Sequence, residues 1–336
     1  MDALHHTKLT GPEITSLWTQ FMADSLNLRV NTYMYNTLDS KSEDITSIFK
    51  DAIATSENNL TEIKKLLNQE GYPIPQGFTE HDVHLDAPKL YSDGLCLKFL
   101  HEMTIHGLSG YSIAITVSTR KDMRKFYEDK INDGISLYNQ TIELLLSKGI
   151  YHRPPYIPSP IGIDFVKSEN FFEGFFNDKR TLNGSEISNV FFNLKKSIVT
   201  KAILIGFNQV AKDKEVRKIL TKGLEIKKKH IELFSQILMK DDLPAPQSWD
   251  SDVTYSTTPP FSDKLMMYLT GFLFNTAISY YGAGLGSTMR SDLIYHYERF
   301  ILEDLAYAKD WANIMIKNQW LEQPPKAPDR KKIAEE

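Results

Sequence analysis

"YPIPQGF" at residues 72–78 and "LPAPQSW" at 243–249 are one pattern, Pro-x-Pro-Gln-small-aromatic, written twice in a single chain. Working outward from Pro73, Pro75 and Gln76, and from Pro244, Pro246 and Gln247, brings both halves into register. Upstream, "LTGPEITSLW" (9–18) matches "LNGSEISNVF" (182–191), so Gly11, Glu13 and Ile14 face Gly184, Glu186 and Ile187. Downstream, "YSDGL" (91–95) matches "FSDKL" (261–265), which pairs Asp93 with Asp263. Arg120 and Asp122 match Arg290 and Asp292, and "RPPY" (153–156) matches "QPPK" (323–326). Asp93 and Pro154 stand as far apart as Asp263 and Pro324, without a gap. A period this long marks a duplicated unit of about 150 residues, not a short-repeat solenoid.

Each unit reads as helical. The first helix runs from Gly11 to about Leu38, with Thr10 placed to cap it and Pro12 and Glu13 suited to its first turn. The second, about Ser42 to Gln69, spaces Ile45, Ile48, Phe49, Ala52, Ile53, Leu60, Ile63 and Leu67 at helical intervals before Gly71 and Pro73 stop it. A proline-bearing stretch then reads as an extended crossover. A third helix starts at Ser92 or Asp93, and a corner at "STRKD" (118–122) leads into a fourth that ends near Lys148. Two helices, a long connection and two more helices is the topology of ferritin-like bundles. The expected fold is therefore all-α: two tandem ferritin-like four-helix bundles, at 1–156 and 181–330. A proline and aromatic linker over 157–180 separates them, and 331–336 is expected to be a disordered tail. The repeated motif marks where each second helix gives way to its crossover, with Phe78 or Trp249 as an apolar plug at the bundle end.

Composition narrows the function classes. The 336 residues are 41% hydrophobic and 24% charged, with a net charge of −4, which speaks for a globular protein and against a general nucleic-acid binder. No leader-like pattern opens the chain, and its single cysteine, Cys96, excludes an intramolecular disulfide, so a cytoplasmic location is expected. Leu265 to Met289 is a run without charge, long enough for a membrane span. Its first-half counterpart carries Lys98, His101, Glu102 and His106, so a buried inner helix is the expected reading and no membrane span is expected.

Catalytic signatures are sparse. Glu-x-x-His, the di-iron hallmark of such bundles, is missing, as are a phosphate-binding Gly-x-x-x-x-Gly-Lys-Ser/Thr loop and a Gly-x-Ser-x-Gly elbow. "GAGLG" (282–286) follows a helical run and reads as close helix packing. One looser set remains: His230 on the second half's second helix with His296 and Glu303 on its fourth, and Asp292 one turn earlier. Two imidazoles and a carboxylate suit one divalent iron, manganese or zinc ion. Their first-half counterparts, Asn59, Phe126 and Asp133, do not repeat the set. In the linker, Phe171, Phe172, Phe175 and Phe176 read as one apolar side of a short helix, either docked between the bundles or open to a protein partner or a second copy.

The tandem arrangement, with "PIPQGF", "LYSDGL", "STRKD" and "KGIYHRPPY" in one half and "VAKDKEVRK", "KKHIELF", "PPFSDKLMMY" and "NIMIKNQWLEQPPKAPDR" in the other, resembles a two-domain ferritin-like family of spore-forming Gram-positive bacteria. That family is associated by similarity with spore coat protein F. The resemblance implies a cytoplasmic or spore-associated protein with no assigned activity and no catalytic residues to carry over. The expectation is thus a non-enzymatic structural or interaction protein. The alternatives are a metal-binding protein using the second-half set, or a carrier of a small apolar ligand between bundle helices.

Overall fold

The structure, a computed structural model, describes residues 8–39, 42–175 and 180–335. The first half holds α1 (Gly11–Thr37), α2 (Glu43–Gln69), α3 (Asp93–Thr116) and α4 (Lys121–Ser147). The second holds α5 (Gly184–Val210), α6 (Lys214–Met239), α7 (Asp263–Ser287) and α8 (Ser291–Lys317). The described residues contain no β-strand, and no helix among them is long and apolar enough to cross a membrane. A short helix, α9 (Arg330–Glu335), ends the described chain. Phe176 lies outside the described residues, and Phe171 and Phe172 sit in a single 3-10 turn, Glu169–Phe172.

Within each half the helices pack as neighbours in sequence, α1 on α2 and α3 on α4, then α5 on α6 and α7 on α8. α2 and α6 are amphipathic, whereas α7 is apolar nearly all round, as a helix covered on most sides must be, and α3 buries Lys98, His101, Glu102 and His106 among its apolar residues. The uncharged run of Leu265–Met289 is thereby explained. Gly284 lets this inner helix come close to α8: a Cβ there would stand 2.6 Å from the Tyr297 ring.

The two halves are tied by reciprocal contacts that follow the repeat. Ser92 caps α3 and its hydroxyl donates to Asp252 at 2.6 Å, while Ser262 caps α7 and donates to Asp82 at 2.7 Å. The segments preceding α3 and α7 meet antiparallel at isolated bridges, Val83 with Phe261 and Tyr91 with Val253. Phe78 and Trp249 are both buried. Glu13 and Glu186 repeat as well. Each closes a capping box with its own helix start, Thr10 and Asn183 respectively, and accepts from the corner before the fourth helix. Burial would push both carboxyls up, yet those hydrogen bonds, joined at Glu186 by the two-pronged Arg180 guanidinium at 2.7 and 2.8 Å, hold each down at about 2. Arg120 and Arg290 clasp Asp122 and Asp292 two residues on, at the starts of α4 and α8.

Between α3 and α5 lies a buried ion cluster. Glu102 meets Lys98 at 2.8 Å, Lys195 at 3.3 Å and Lys196 at 3.3 Å, and Lys196 donates to His106 at 3.1 Å. Burial would raise the Glu102 carboxyl, but three ammonium groups hold it well below the usual range. The same burial draws Lys98 and Lys196 down to about 8.

Candidate functional site

The two halves share a fold and differ in their middles. In the second half one apolar core runs without a break, whereas the first half's core falls into two clusters. One contains Met22, Leu26 and Ala52, the other Leu17, Phe21, Leu60 and Phe126. Between them lies a cavity of about 150 Å³. Its walls come from α1 (Gln20, Asp24, Asn27, Asn31), α2 (Thr55, Ser56), α3 (Met103, Thr104, Gly107, Gly110, Tyr111) and α4 (Lys130, Asp133, Gly134, Leu137). Tyr268 and Phe272 of α7 close the side facing the second half.

The repeat register explains why one bundle is hollow. Lys227 replaces Ser56, Asp304 replaces Gly134, Phe274 replaces Thr104, Tyr307 replaces Leu137 and Tyr280 replaces Gly110. In the second half Lys227, Asp304, Phe274 and Tyr307 occupy the middle, while Tyr280 reaches across to Ser109 and His106 of α3. Lys227 donates to Asp304 at 2.7 Å with both side chains buried, and the Lys227 ammonium lies 4.0 Å from the Phe274 ring centre. Phe274 stacks on Tyr307 at 4.0 Å. The cavity beside Lys227 and Tyr281 measures only about 10 Å³, the space of a single water.

Of the charged residues that line the hollow, Asp24, Lys130 and Asp133, Asp24 is the most deeply buried. Asp24 is 2% exposed and accepts hydrogen bonds from Gln20 at 2.8 Å and Asn59 at 3.3 Å. Burial pushes its carboxyl up to about 7, against the pull of those two amides and of the Lys130 charge. Lys130 is committed elsewhere, to Glu62 at 3.0 Å and Asp133 at 3.8 Å. A surface depression bounded by Asn58, Glu62 and Asp129 shares Thr55, Lys130 and Asp133 with the cavity wall, so these three residues separate the hollow from solvent between α2 and α4. The Asn59 side-chain oxygen is buried without a hydrogen-bond partner.

A family model described as "Protein of unknown function (DUF3231)" matches residues 2–161 and again residues 170–333. The chain belongs to that family. The two matches follow the internal repeat of this DUF3231 protein. No curated protein matches it significantly. A crystal structure from Bacillus halodurans C-125, named "putative spore coat protein (BH2358)", is similar over 45% of this chain and 98% of its own, at 13% identity and a TM-score of 0.40.

The residues singled out for metal in this DUF3231 chain are placed as follows. His230 is buried; its ring accepts from the Tyr281 hydroxyl at 3.0 Å and donates to Glu303 at 3.1 Å. Burial, with Lys227, Arg299 and Lys229 nearby, pulls the imidazole down to about 2 and keeps it neutral. The Phe300 ring packs on it at 4.0 Å, and His296 stacks on Phe300 in turn at 6.4 Å. Glu303 also accepts from Arg299 at 2.8 Å, and Asp292 is clasped by Arg290. Among the described residues no group of three or more His, Cys, Asp or Glu side chains is arranged to hold a metal ion.

Proposed function

We propose that this protein is a non-enzymatic small-molecule binder whose first bundle holds a small, largely apolar ligand, with the second bundle as its solid support. The observation that carries the reading is the cavity of about 150 Å³ in a bundle whose sister is filled. A cavity of that size, lined by apolar groups, takes a molecule the size of benzene. Most of the surface that lines the hollow is apolar, with the polar ends of residues such as Asp24, Asn31 and Thr104 set into it, and convergent polar groups in a mainly apolar wall are the usual composition of a ligand site. In bundles with this helix order, ligands and cofactors sit in the core between facing helices, which is where Thr104 and Gly134 leave space.

The test is extraction. Protein purified without denaturation is extracted with organic solvent, and the extract is analysed by mass spectrometry beside that of a Thr104→Phe variant, which copies Phe274 into the hollow. A small molecule recovered from the parent and missing from the variant is the expected result. Identical extracts, with no thermal stabilisation of the parent by any simple benzyl compound, would overturn the proposal.

A further inference from the structure

The binding reading leaves the chemical class of the ligand open, and the wall of the hollow narrows it. Four elements meet at Asp24, and the groups they bring can be compared by charge. From α4 come Lys130 and Asp133, from α2 comes Glu62 through its bond to Lys130, and from α3 come His106 and Tyr111. Tyr268 faces the hollow from α7. Burial keeps His106 neutral, and the Lys196 ammonium lies on its far side, bonded to His106 and Glu102. Around the hollow, then, Asp24, Asp133 and Glu62 set three carboxylates against the ammonium of Lys130. That ammonium touches the two outer carboxylates, not the inner one.

Asp24 has amide donors but, among the described residues, no ion-pair partner within 4 Å. A buried carboxylate without a cation is costly, and it gains most from a partner that brings charge and hydrogen-bond donors together. Asn59, which donates to Asp24, leaves its own side-chain oxygen buried without a hydrogen-bond partner. The aromatic side chains of Tyr111, Tyr268 and Phe272 also line the hollow, a setting that suits a cation with an apolar body. Resting on the binding function proposed above, we infer that the first bundle selects small primary amines with an apolar body, the ammonium group lying at Asp24 and the body against Met103, Leu137 and Phe272. The second half has Ser197 where the first has Asp24, so it offers neither the space nor the charge.

Benzylamine, benzyl alcohol and toluene share one body and differ only in the group offered to Asp24, so calorimetric titration of all three into the full chain separates the possibilities. At pH 8 benzylamine, bound as its cation, is expected to bind at least about tenfold tighter than benzyl alcohol, as a charge-assisted hydrogen bond does over a neutral one. Its affinity falls at pH 5.5, and binding near pH 7 releases protons, seen as a dependence of the heat on the buffer. Asp24→Asn brings the amine and the alcohol within about twofold of each other. The proton release needs no variant and stands even if that substitution fails to fold. Thr104→Phe removes binding of all three. If benzyl alcohol or toluene binds as tightly as benzylamine, the cavity stands and the amine inference is overturned. If none binds, both this inference and the binding function beneath it fall.

Discussion

The two bundles are built from one repeated unit, yet one middle is solid and the other open. In the second half, Lys227, Asp304, Phe274 and Tyr307 fill the space between four helices, and the core cluster runs through them. In the first half, Ser56, Gly134, Thr104 and Leu137 stand at the same positions and the core is parted. The difference teaches that a duplicated fold can divide its labour. Close packing supplies stability where side chains meet, and omitting a few large side chains from a copy opens a site without altering its frame. The frame itself is shared: serine caps, glutamate capping boxes and arginine clasps recur in both halves.

The largest expected effect breaks the solid bundle. Lys227→Met leaves Asp304 buried without its cation and should cost about 3–5 kcal/mol in chemical denaturation. Ser56→Ala, its counterpart in the hollow, should cost less than about 0.5 kcal/mol, because the hydroxyl only back-bonds to the Ala52 carbonyl of its own helix. Equal losses at the two positions would erase the distinction between the bundles.

Acid–base behaviour sharpens it next. The Asp24 carboxyl is raised in the folded chain from an ordinary 3.8 to about 7, so the folded state holds its proton more tightly than the unfolded state. Its contribution is therefore fully present below about pH 4 and is lost as pH rises towards 7, at about 1.4 kcal/mol per pH unit, on the order of 4 kcal/mol at most. Asp24→Asn should match the parent at pH 4 and exceed it in stability at pH 8. Parallel stability curves for the two proteins would show that the carboxylate is not strained by burial.

Filling the hollow is a smaller change. Thr104→Phe should stay within about 1.5 kcal/mol of the parent in stability, since the new ring enters open space and the lost hydroxyl bonds only the carbonyl of His101 on its own helix. A loss above about 3 kcal/mol would mean that the space is not free to be filled. The smallest effect lies outside both bundles. Phe172 and Phe175 are 50% and 58% exposed, so exchanging both for serine should alter stability by less than about 0.5 kcal/mol. A sedimentation profile that shifts with the exchange would make these rings an association surface instead.

The frame was legible in the sequence because it rests on local signals. Thr10 with Glu13, Asn183 with Glu186, and the serines before Asp93 and Asp263 announce helix starts, and the repeat confirms each one by its twin. The hollow was less legible, since it consists of what is missing. Ser56, Thr104, Gly107 and Gly134 look like ordinary helix residues one by one. Their meaning appears when the repeat is read for side-chain volume, Gly134 against Asp304 and Thr104 against Phe274, and that signal lay in the aligned halves. Asp24 reads as a solvated helix residue, because nothing local shows that Asn59 and Lys130 will converge on it. Lys195 and Lys196 likewise look like a surface pair until folding places them beside Glu102 of the other half. His230 and Glu303 meet at 3.1 Å, but helical spacing alone does not show the neighbours that occupy them, Tyr281 and Arg299.

The central claim, one hollow bundle beside one filled bundle, is tested most directly by diffraction from crystals pressurised with xenon. The account predicts a xenon atom among Met103, Thr104, Gly134 and Leu137 and none at Phe274 and Tyr307. Xenon in the second bundle, or a first bundle that takes up none, would contradict it.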